Sequence, residues 1–538
     1  MNNNNVALLD CTLRDGGYIN EWNFGQNTLV NVFERLVSAN IDYIEVGFLD
    51  QRQPFNINRS IMPDTKSVEM IYGNLCKGNT QVVAMIDYGT CDIAHIQPQA
   101  ESFLDGIRVI FKKHIMHEAL AFCRELKQQG YKIFTQVVSI TSYNDSELLE
   151  LTDLVNDVKP FAVSIVDTYG LLHKNKLFHY YEVMNAHLDE HIGIGYHSHN
   201  NFQLGYANCI ELAGKHAAVS KRRLLLDGSV FGMGKGAGNA PTELLAMHMN
   251  DKQSNYRYDI SQILEAIDIN ILEIFKQSPW GYSMKFFIAA SNDCHPNYVS
   301  YLLEKQTLSV KSINEVLKEI DEKHKLLFNK AYIEQLYVDY QKHACNDKAD
   351  YEALSAQLND KKVLIIGPGV SIKSEADRIE AYVKAQNPLI IAINFIPEKV
   401  DVKYLFLTNS KRYVRQATLI NKLGGEIKII ATSNVTKSAG KFDYNLDYET
   451  LIDRSAVFMD NSFIMLMKVM VKSGVREVAL AGFDGYSYDR ETNYYSSEME
   501  YRFAKQKGEE INADVNKNLR ELKKRIDFKF ITNTLYKA

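Results

Sequence analysis

The sequence predicts an α/β protein: a (β/α)8 TIM barrel with a helical extension, followed by a Rossmann-like, doubly wound α/β domain. Three observations predict it. Short β-branched runs alternate with amphipathic helical stretches from the start of the chain. Eight such runs fill about 250 residues, the usual size of a barrel of this kind. After a helical stretch, a second alternating pattern opens near residue 361. At 538 residues the chain is too long for one core, so several domains are expected.

The barrel strands are expected at VALLDCTL (6–13), IDYIEVGF (41–48), TQVVAMIDY (80–88), GIRVIF (106–111), YKIFTQVVSI (131–140), FAVSIVDT (161–168), IGIGYHSHN (192–200) and RLLLDGSV (223–230). Helical spacing of apolar residues fills the gaps, as in TLVNVFERLVSAN (28–40) and HEALAFCRELKQQG (117–130), which stops at Gly130. Residues 1–259 are therefore assigned to the barrel. Residues 260–345 read as a helical extension, including ISQILEAIDINILEIF (260–275) and SINEVLKEIDEKHKLLF (312–328). A polar, helix-prone bridge supplies a linker over 346–360. The second domain, 361–538, begins with KKVLIIGPGVSI (361–372) and continues through PLIIAINFI (388–396), VKYLFLTNS (402–410), GEIKIIATS (425–433) and REVALAGFDGY (476–486). Five strand runs with intervening helices suit an open, mainly parallel sheet.

Composition narrows the function. The chain is 46% hydrophobic and 24% charged with a net charge of −5, which gives no general attraction to nucleic acid or anionic membrane. No apolar run approaches the roughly 20 residues of a membrane span. The start, MNNNNVALLD, lacks the basic and apolar blocks of a secretory leader, so a cytoplasmic location is expected. The seven cysteines are scattered and form no CxxC, which suits reduced thiols. All 14 histidines and all seven cysteines precede residue 346. Imidazole or thiol chemistry belongs to the first part of the chain.

Barrel active sites form at the C-terminal ends of the strands. Arg14 and Asp15 stand just past strand 1, where an ordinary salt bridge is the common reading of such a pair. His197 and His199 close strand 7; two residues apart, both imidazoles face the barrel interior. Packing and metal ligation are both open to them. After strand 8, GMGKGAGNAP (232–241) folds tightly into the mouth and brings Asn239. A carboxylate, two imidazoles and an amide oxygen make a mixed N/O donor set suited to a borderline or hard divalent ion.

TLRDG, YIEVGF, DTYG, HSHNN and GMGKGAGNAP, in this order and on these strands, resemble the metal-dependent aldolase and acyl-lyase (DRE-TIM) barrels. That superfamily includes 3-hydroxy-3-methylglutaryl-CoA lyase, 2-isopropylmalate synthase and 4-hydroxy-2-oxovalerate aldolase. The resemblance covers roughly residues 5 to 345. It implies Asp15, His197 and His199 as metal ligands and Asn239 as a further ligand or supporting partner. It also implies Arg14 as the stabiliser of an enolate oxygen and Glu45 in the polar network behind it. Mn²⁺ or Mg²⁺ is the implied ion, with Co²⁺ and Zn²⁺ as alternatives; a 2-oxo acid and an aldehyde are the implied substrates, and a homo-oligomer is expected. The Gly-rich stretch lacks the cysteine of the glutaryl-thioester lyase, and its AGNAP ending is nearest the 4-hydroxy-2-oxovalerate aldolases. Those carry a histidine where this chain has Tyr18, and Phe286 stands at the place of their helical tyrosine, with Tyr282 nearby. Tyr18 is thus a candidate acid–base group, against an ordinary structural aromatic. Claisen-type transfer from an acyl-CoA, or an assembly protein with a vestigial barrel, are the alternative functions.

In the second domain, IIGPGVS, AINFIP, LFLTNS and DNSFIMLMKVMVKSGVREVALAGFDGY resemble the nucleotide-binding core of bacterial sialyltransferases. The resemblance implies Gly367 and Gly369 at a nucleotide phosphate and Asn394, Asn409 and Ser462 at the base or ribose. With no histidine base here, binding of a nucleotide or nucleotide-sugar is expected rather than transfer. A degenerate structural domain is the alternative.

Overall fold

The computed structural model describes residues 5–252, 257–325, 327–342, 345–398, 400–422, 426–436, 442–490, 492–496, 499 and 507–537. The chain divides into two compact units, Met1–Pro296 and Asn297–Ala538. The helical run expected as one extension is therefore shared between them.

In the first unit, eight parallel strands close into a barrel: β1 (Val6–Asp10), β2 (Tyr43–Leu49), β3 (Gln81–Asp87), β4 (Gly106–Phe111), β5 (Lys132–Val137), β6 (Ala162–Asp167), β7 (Gly193–Ser198) and β8 (Leu224–Gly228). Each pairs with its neighbour in sequence, and β1 pairs with both β2 and β8 to close the ring. Helices including Gln26–Ser38, Met116–Gln128 and Asp145–Val158 follow the strands and cover them outside. Burial on both faces explains why the strands read as nearly unbroken apolar runs. Strand 1 is shorter than the sequence suggests: Thr12–Asp15 leave it as a single helical turn.

Period-two alternation sorts the barrel interior into layers. At the N-terminal end, Leu9, Tyr43, Val83, Phe134, Ala162 and Leu225 form an apolar plug. Gly106 makes room for this plug, since a Cβ there would lie 2.9 Å from the Phe134 ring. Above it the buried side chains turn polar: Glu45, Arg108, Gln136, Ser164 and Asp227. The plug supplies the burial that holds the barrel, and the layer above it is left for chemistry.

The second unit holds seven parallel strands: β9 (Val363–Ile366), β10 (Leu389–Ile393), β11 (Tyr404–Leu407), β12 (Lys428–Thr432), β13 (Tyr444–Leu446), β14 (Glu477–Ala481) and β15 (Asp527–Phe530). Their order is β13-β12-β11-β10-β9-β14-β15, consistent with a Rossmann-like domain. Two strands, β13 and β15, extend the five expected. The stretch expected as a linker is the helix Lys348–Leu358, whose Tyr351, Leu354 and Leu358 are buried in this unit's core.

Candidate metal centre

The helical turn after β1 carries Arg14 and Asp15 into the mouth of the barrel, both buried. On β7, Gly195 faces inward against Ser164, where a Cβ would stand 2.2 Å from the hydroxyl. The same face then presents His197 and, one step past the strand end, His199. Their rings are nearly perpendicular, with centroids 5.0 Å apart. One donor atom from each of Asp15, His197 and His199 lies within 4.8 Å of the others.

The hydrogen bonds fix which ring nitrogens remain. His197 Nδ1 donates to Asp227 Oδ2 at 3.0 Å, and His199 Nδ1 donates to the Asp167 carbonyl at 2.9 Å. Each acceptor is an oxygen without a proton to give, so Nδ1 carries the hydrogen and Nε2 keeps its lone pair. Both Nε2 atoms are buried without a hydrogen-bond partner, His199 Nε2 standing 3.6 Å from Asp15 Oδ2, and Asn239 Oδ1 has none either. Unpartnered buried donors of this kind are costly unless a ligand takes them. Asn239 is held by its own Nδ2, which donates to Asp15 Oδ2 at 2.8 Å. Three convergent oxygen and nitrogen donors, with the unpartnered Asn239 oxygen beside them, fit a divalent cation. The nearby Cys11 thiol donates to the Gly228 carbonyl, and burial pushes its pKa well up.

Behind the donors runs a buried chain of alternating charge. Arg14 Nε donates to Glu45 Oε2 at 2.7 Å, and Arg14 Nη1 donates to Asp15 Oδ1 at 2.5 Å. Arg108 Nη1 lies 3.0 Å from the same Glu45 oxygen, and Arg108 Nη2 donates to Asp227 and to Gln136. Asp227 in turn holds His197. Burial alone would push the Asp15 carboxyl up, but Arg14 and the imidazoles outweigh it and hold it well below the carboxylate range. Burial likewise opposes Asp227, and Arg108 and His197 hold its pKa down. Burial lowers the pKa of His197 in spite of Asp227, which keeps its imidazole neutral. Three carboxylates oppose two guanidiniums, so the cluster carries one uncompensated negative charge. A divalent cation would reverse that sign.

The structure thus brings together Arg14, Asp15, Glu45, His197, His199 and Asn239. Tyr18 stands at the rim, its ring edge-on to Trp22 at 4.9 Å, and partial desolvation together with Asp15 pushes its pKa up to about 12. It can give a proton at neutral pH but not take one. Arg108, Asp227 and the loop residue Lys235 were not singled out from the sequence. A charged side chain inside an apolar run, as in GIRVIF and RLLLDGSV, was the available signal.

In the second unit a pocket opens at the carboxyl ends of β9, β10 and β14, lined by Gly369, Asn394, Ser462, Phe483 and Asp484 among others. The expected nucleotide contacts there are largely spent on the fold. The Gly367 and Gly369 amides donate to the carbonyls of Ala481 and Gly482 at 2.8 and 2.9 Å, not to a free site. A Cβ at either glycine would collide with the turn after β14, so close packing demands them. Asn394, at φ +58°, bonds Thr408 and Ser462 through its amide. Asn409 caps the following helix by accepting from the Arg412 amide, and it does not line the pocket. Asp484 accepts from the Ser371 amide at 2.8 Å.

The HMGL-like family model matches residues 5–269. The oxaloacetate decarboxylase of Mycobacterium tuberculosis is 25% identical over 290 residues, 52% of this chain and 81% of that protein. The 4-hydroxy-2-oxovalerate aldolase of a Marinomonas species is 24% identical over 285 residues, 51% of this chain and 79% of that one. Among solved structures, the HMG-CoA lyase of Bacillus subtilis aligns with a TM-score of 0.42 at 14% identity, over 52% of this chain and 96% of its own. The family match ends at residue 269, so the likeness of the second unit to a sialyltransferase core rests on its motifs alone. Residues 5–269 of this chain form an HMGL-like domain.

Proposed function

We propose that the barrel is a divalent-metal-dependent aldolase that makes or breaks the bond between a pyruvate-type 2-oxo acid and an aldehyde. The observation that carries this reading is the pair of unpartnered His Nε2 atoms converging with Asp15 beside a buried arginine. Mn²⁺ or Mg²⁺ suits the donor set first, Co²⁺ or Zn²⁺ second; bound there, the ion would supply Lewis-acid stabilisation of charge on the 2-oxo acid. Arg14 uses Nε and Nη1 within the protein, which leaves Nη2 to hold the oxygen that becomes negative as the enolate forms. Glu45 fixes that guanidinium in place. Asp227 and the Asp167 carbonyl hold the two imidazoles in one tautomer. Tyr18, a neutral phenol at the rim, would donate to the acceptor's oxygen.

Chelation should abolish exchange of the pyruvate methyl protons with deuterium, followed by NMR, and Mn²⁺ should restore it. His197→Ala and His199→Ala should lower metal content and exchange together. Full exchange by metal-free protein would sink the reading. One relative is named as an oxaloacetate decarboxylase, and loss of carbon dioxide from oxaloacetate leaves the same pyruvate enolate. Decarboxylation is therefore the second reading; activity on oxaloacetate with none on pyruvate plus aldehydes would select it.

For the second unit we propose binding of a nucleotide or nucleotide-sugar, on the strength of its motifs and of a pocket at the strand-order reversal between β9 and β14. Because Asp484 already takes the Ser371 amide, sugar and base would make the main contacts. Such a pairing suits unusual-sugar or surface-polysaccharide metabolism.

A further inference from the structure

We propose that Lys235 selects the acceptor: its ammonium, beside the Tyr18 phenol at the barrel mouth, binds an anionic group, phosphate or carboxylate, carried by the aldehyde. This rests on the aldolase reading above. The loop around the metal centre is nearly stripped of side chains. A Cβ at Gly234 would stand 2.4 Å from Asn239 Nδ2, and one at Gly236 would stand 2.7 Å from Asn201 Oδ1. Gly238, at φ +86°, leaves no room against the Gly232 carbonyl. Met233 and Ala237 are buried. Lys235 is the one long side chain this loop keeps out of the core.

Its place is set by two contacts. The Lys235 backbone N–H donates to Asp15 Oδ2 at 3.0 Å, which pins the residue beside the metal donors. Its Nζ stands 5.2 Å from the centre of the Tyr18 ring, and Tyr18 is 43% exposed. The charged groups that act on Lys235 are the acids Asp15 and Asp87 and the bases Arg14 and Lys112, and it acts in turn on His295 together with Lys285. Arg52, also near Asp87, is already engaged by both oxygens of Asp50. Arg14 and the metal donors are assigned to the 2-oxo acid, so Lys235 meets what remains, the acceptor. A neutral aldehyde offers a partly desolvated ammonium little, whereas phosphate or carboxylate oxygens give charge-assisted hydrogen bonds.

The test compares, in the Mn²⁺-loaded full chain, kcat/KM for pyruvate addition to glyceraldehyde 3-phosphate and glyoxylate with that for glyceraldehyde and acetaldehyde. Wild-type protein should favour the anionic acceptors; whichever of the phosphate and carboxylate arms wins names the group. Lys235→Met should lower the anionic-to-neutral ratio by about 10- to 100-fold, as expected for one charge-assisted contact, and Lys235→Arg should restore most of it. An unchanged ratio, or equal loss for both classes, overturns the proposal. So does a wild-type protein that uses charged and neutral acceptors alike, a result that needs no variant to fold. Wild-type protein that exchanges no pyruvate methyl protons instead defeats the aldolase reading itself.

Discussion

Arg14 and Asp15 are adjacent in sequence, yet the proposed function gives them separate tasks. Asp15 would be a donor to a cation; Arg14 would keep Nη2 for substrate. Arg14→Ala should therefore leave metal bound but slow pyruvate methyl exchange about 10²- to 10³-fold, the cost of one oxyanion donor. Unchanged exchange would reduce Arg14 to a salt-bridge partner. Asp10, wholly buried beneath them, makes a pH prediction. Burial raises its pKa from 3.8 to about 6, against hydrogen bonds from Thr242 and Thr12 that lower it. The folded state thus holds a proton that the unfolded chain has released between these two values. Its ionisation costs stability as pH rises through that window, and the cost is complete above it. Relative to Asp10→Asn, wild-type stability should improve by up to about 3 kcal/mol from pH 7 to pH 4, measured by urea denaturation. A difference independent of pH would show that Asp10 keeps an ordinary pKa. At this scale the metal donors were legible because they sit in short motifs at strand ends. Arg108 and Asp227 were not, since their pairing spans 119 residues and appears only once the strands are arranged in a ring.

At the scale of elements, the apolar runs and helical spacing placed all eight barrel strands, with ends that differ by up to about three residues. The departures have local causes. Asp10 accepts from the Thr12 amide at 2.9 Å, which turns the chain out of β1 and into the helical turn that presents Arg14 and Asp15. The edge strand β15 is only half covered, with alternating exposed and partly buried residues, so its sequence carries little apolar signal. The loop after β8 offers the sharpest test of an element. A Cβ at Gly234 would come within 2.6 Å of Asp15 Oδ2 as well as crowding Asn239, so Gly234→Ala should weaken metal binding at least about tenfold by calorimetric titration. Gly214, inside the helix Gly205–Val219, has nothing within 4 Å of its Cβ position. Gly214→Ala should leave metal affinity alone and add roughly 0.5–1 kcal/mol of stability. Equal effects of the two would show that the loop does not shape the centre.

For the whole molecule, the division at Pro296 and Asn297 could not be read from helical spacing, because all the helices of that region are amphipathic and spacing does not name the core each one faces. Tyr337 shows the outcome: its hydroxyl donates to Asp460 at 2.7 Å, committing its helix to the second unit. If that unit binds a nucleotide, the full chain should melt later in its presence. Ligand at a hundredfold excess over Kd adds about 2.7 kcal/mol to the unit that holds it. A panel of nucleotides and nucleotide-sugars, CMP included, should give such a shift for at least one member. Asp484→Ala, which vacates the Ser371 amide, should strengthen binding of those with phosphates. No shift across the panel would favour a purely structural second unit. Among the described residues no helix is long and apolar enough to cross a membrane.

The closure of the ring by β1 has a further consequence, for the order in which the protein can mature. Asp15 leaves the ribosome well before His197, His199 and Asn239, which follow far behind it in the sequence. Until β8 is made and β1 settles between it and β2, these donors belong to one chain but to no common place. A nascent chain can therefore fold its early βα units, but it cannot capture the ion before the last strand arrives. On the proposed function, metal uptake would then mark the moment at which the barrel becomes whole, and a chain cut short before Asn239 should emerge both open and without metal.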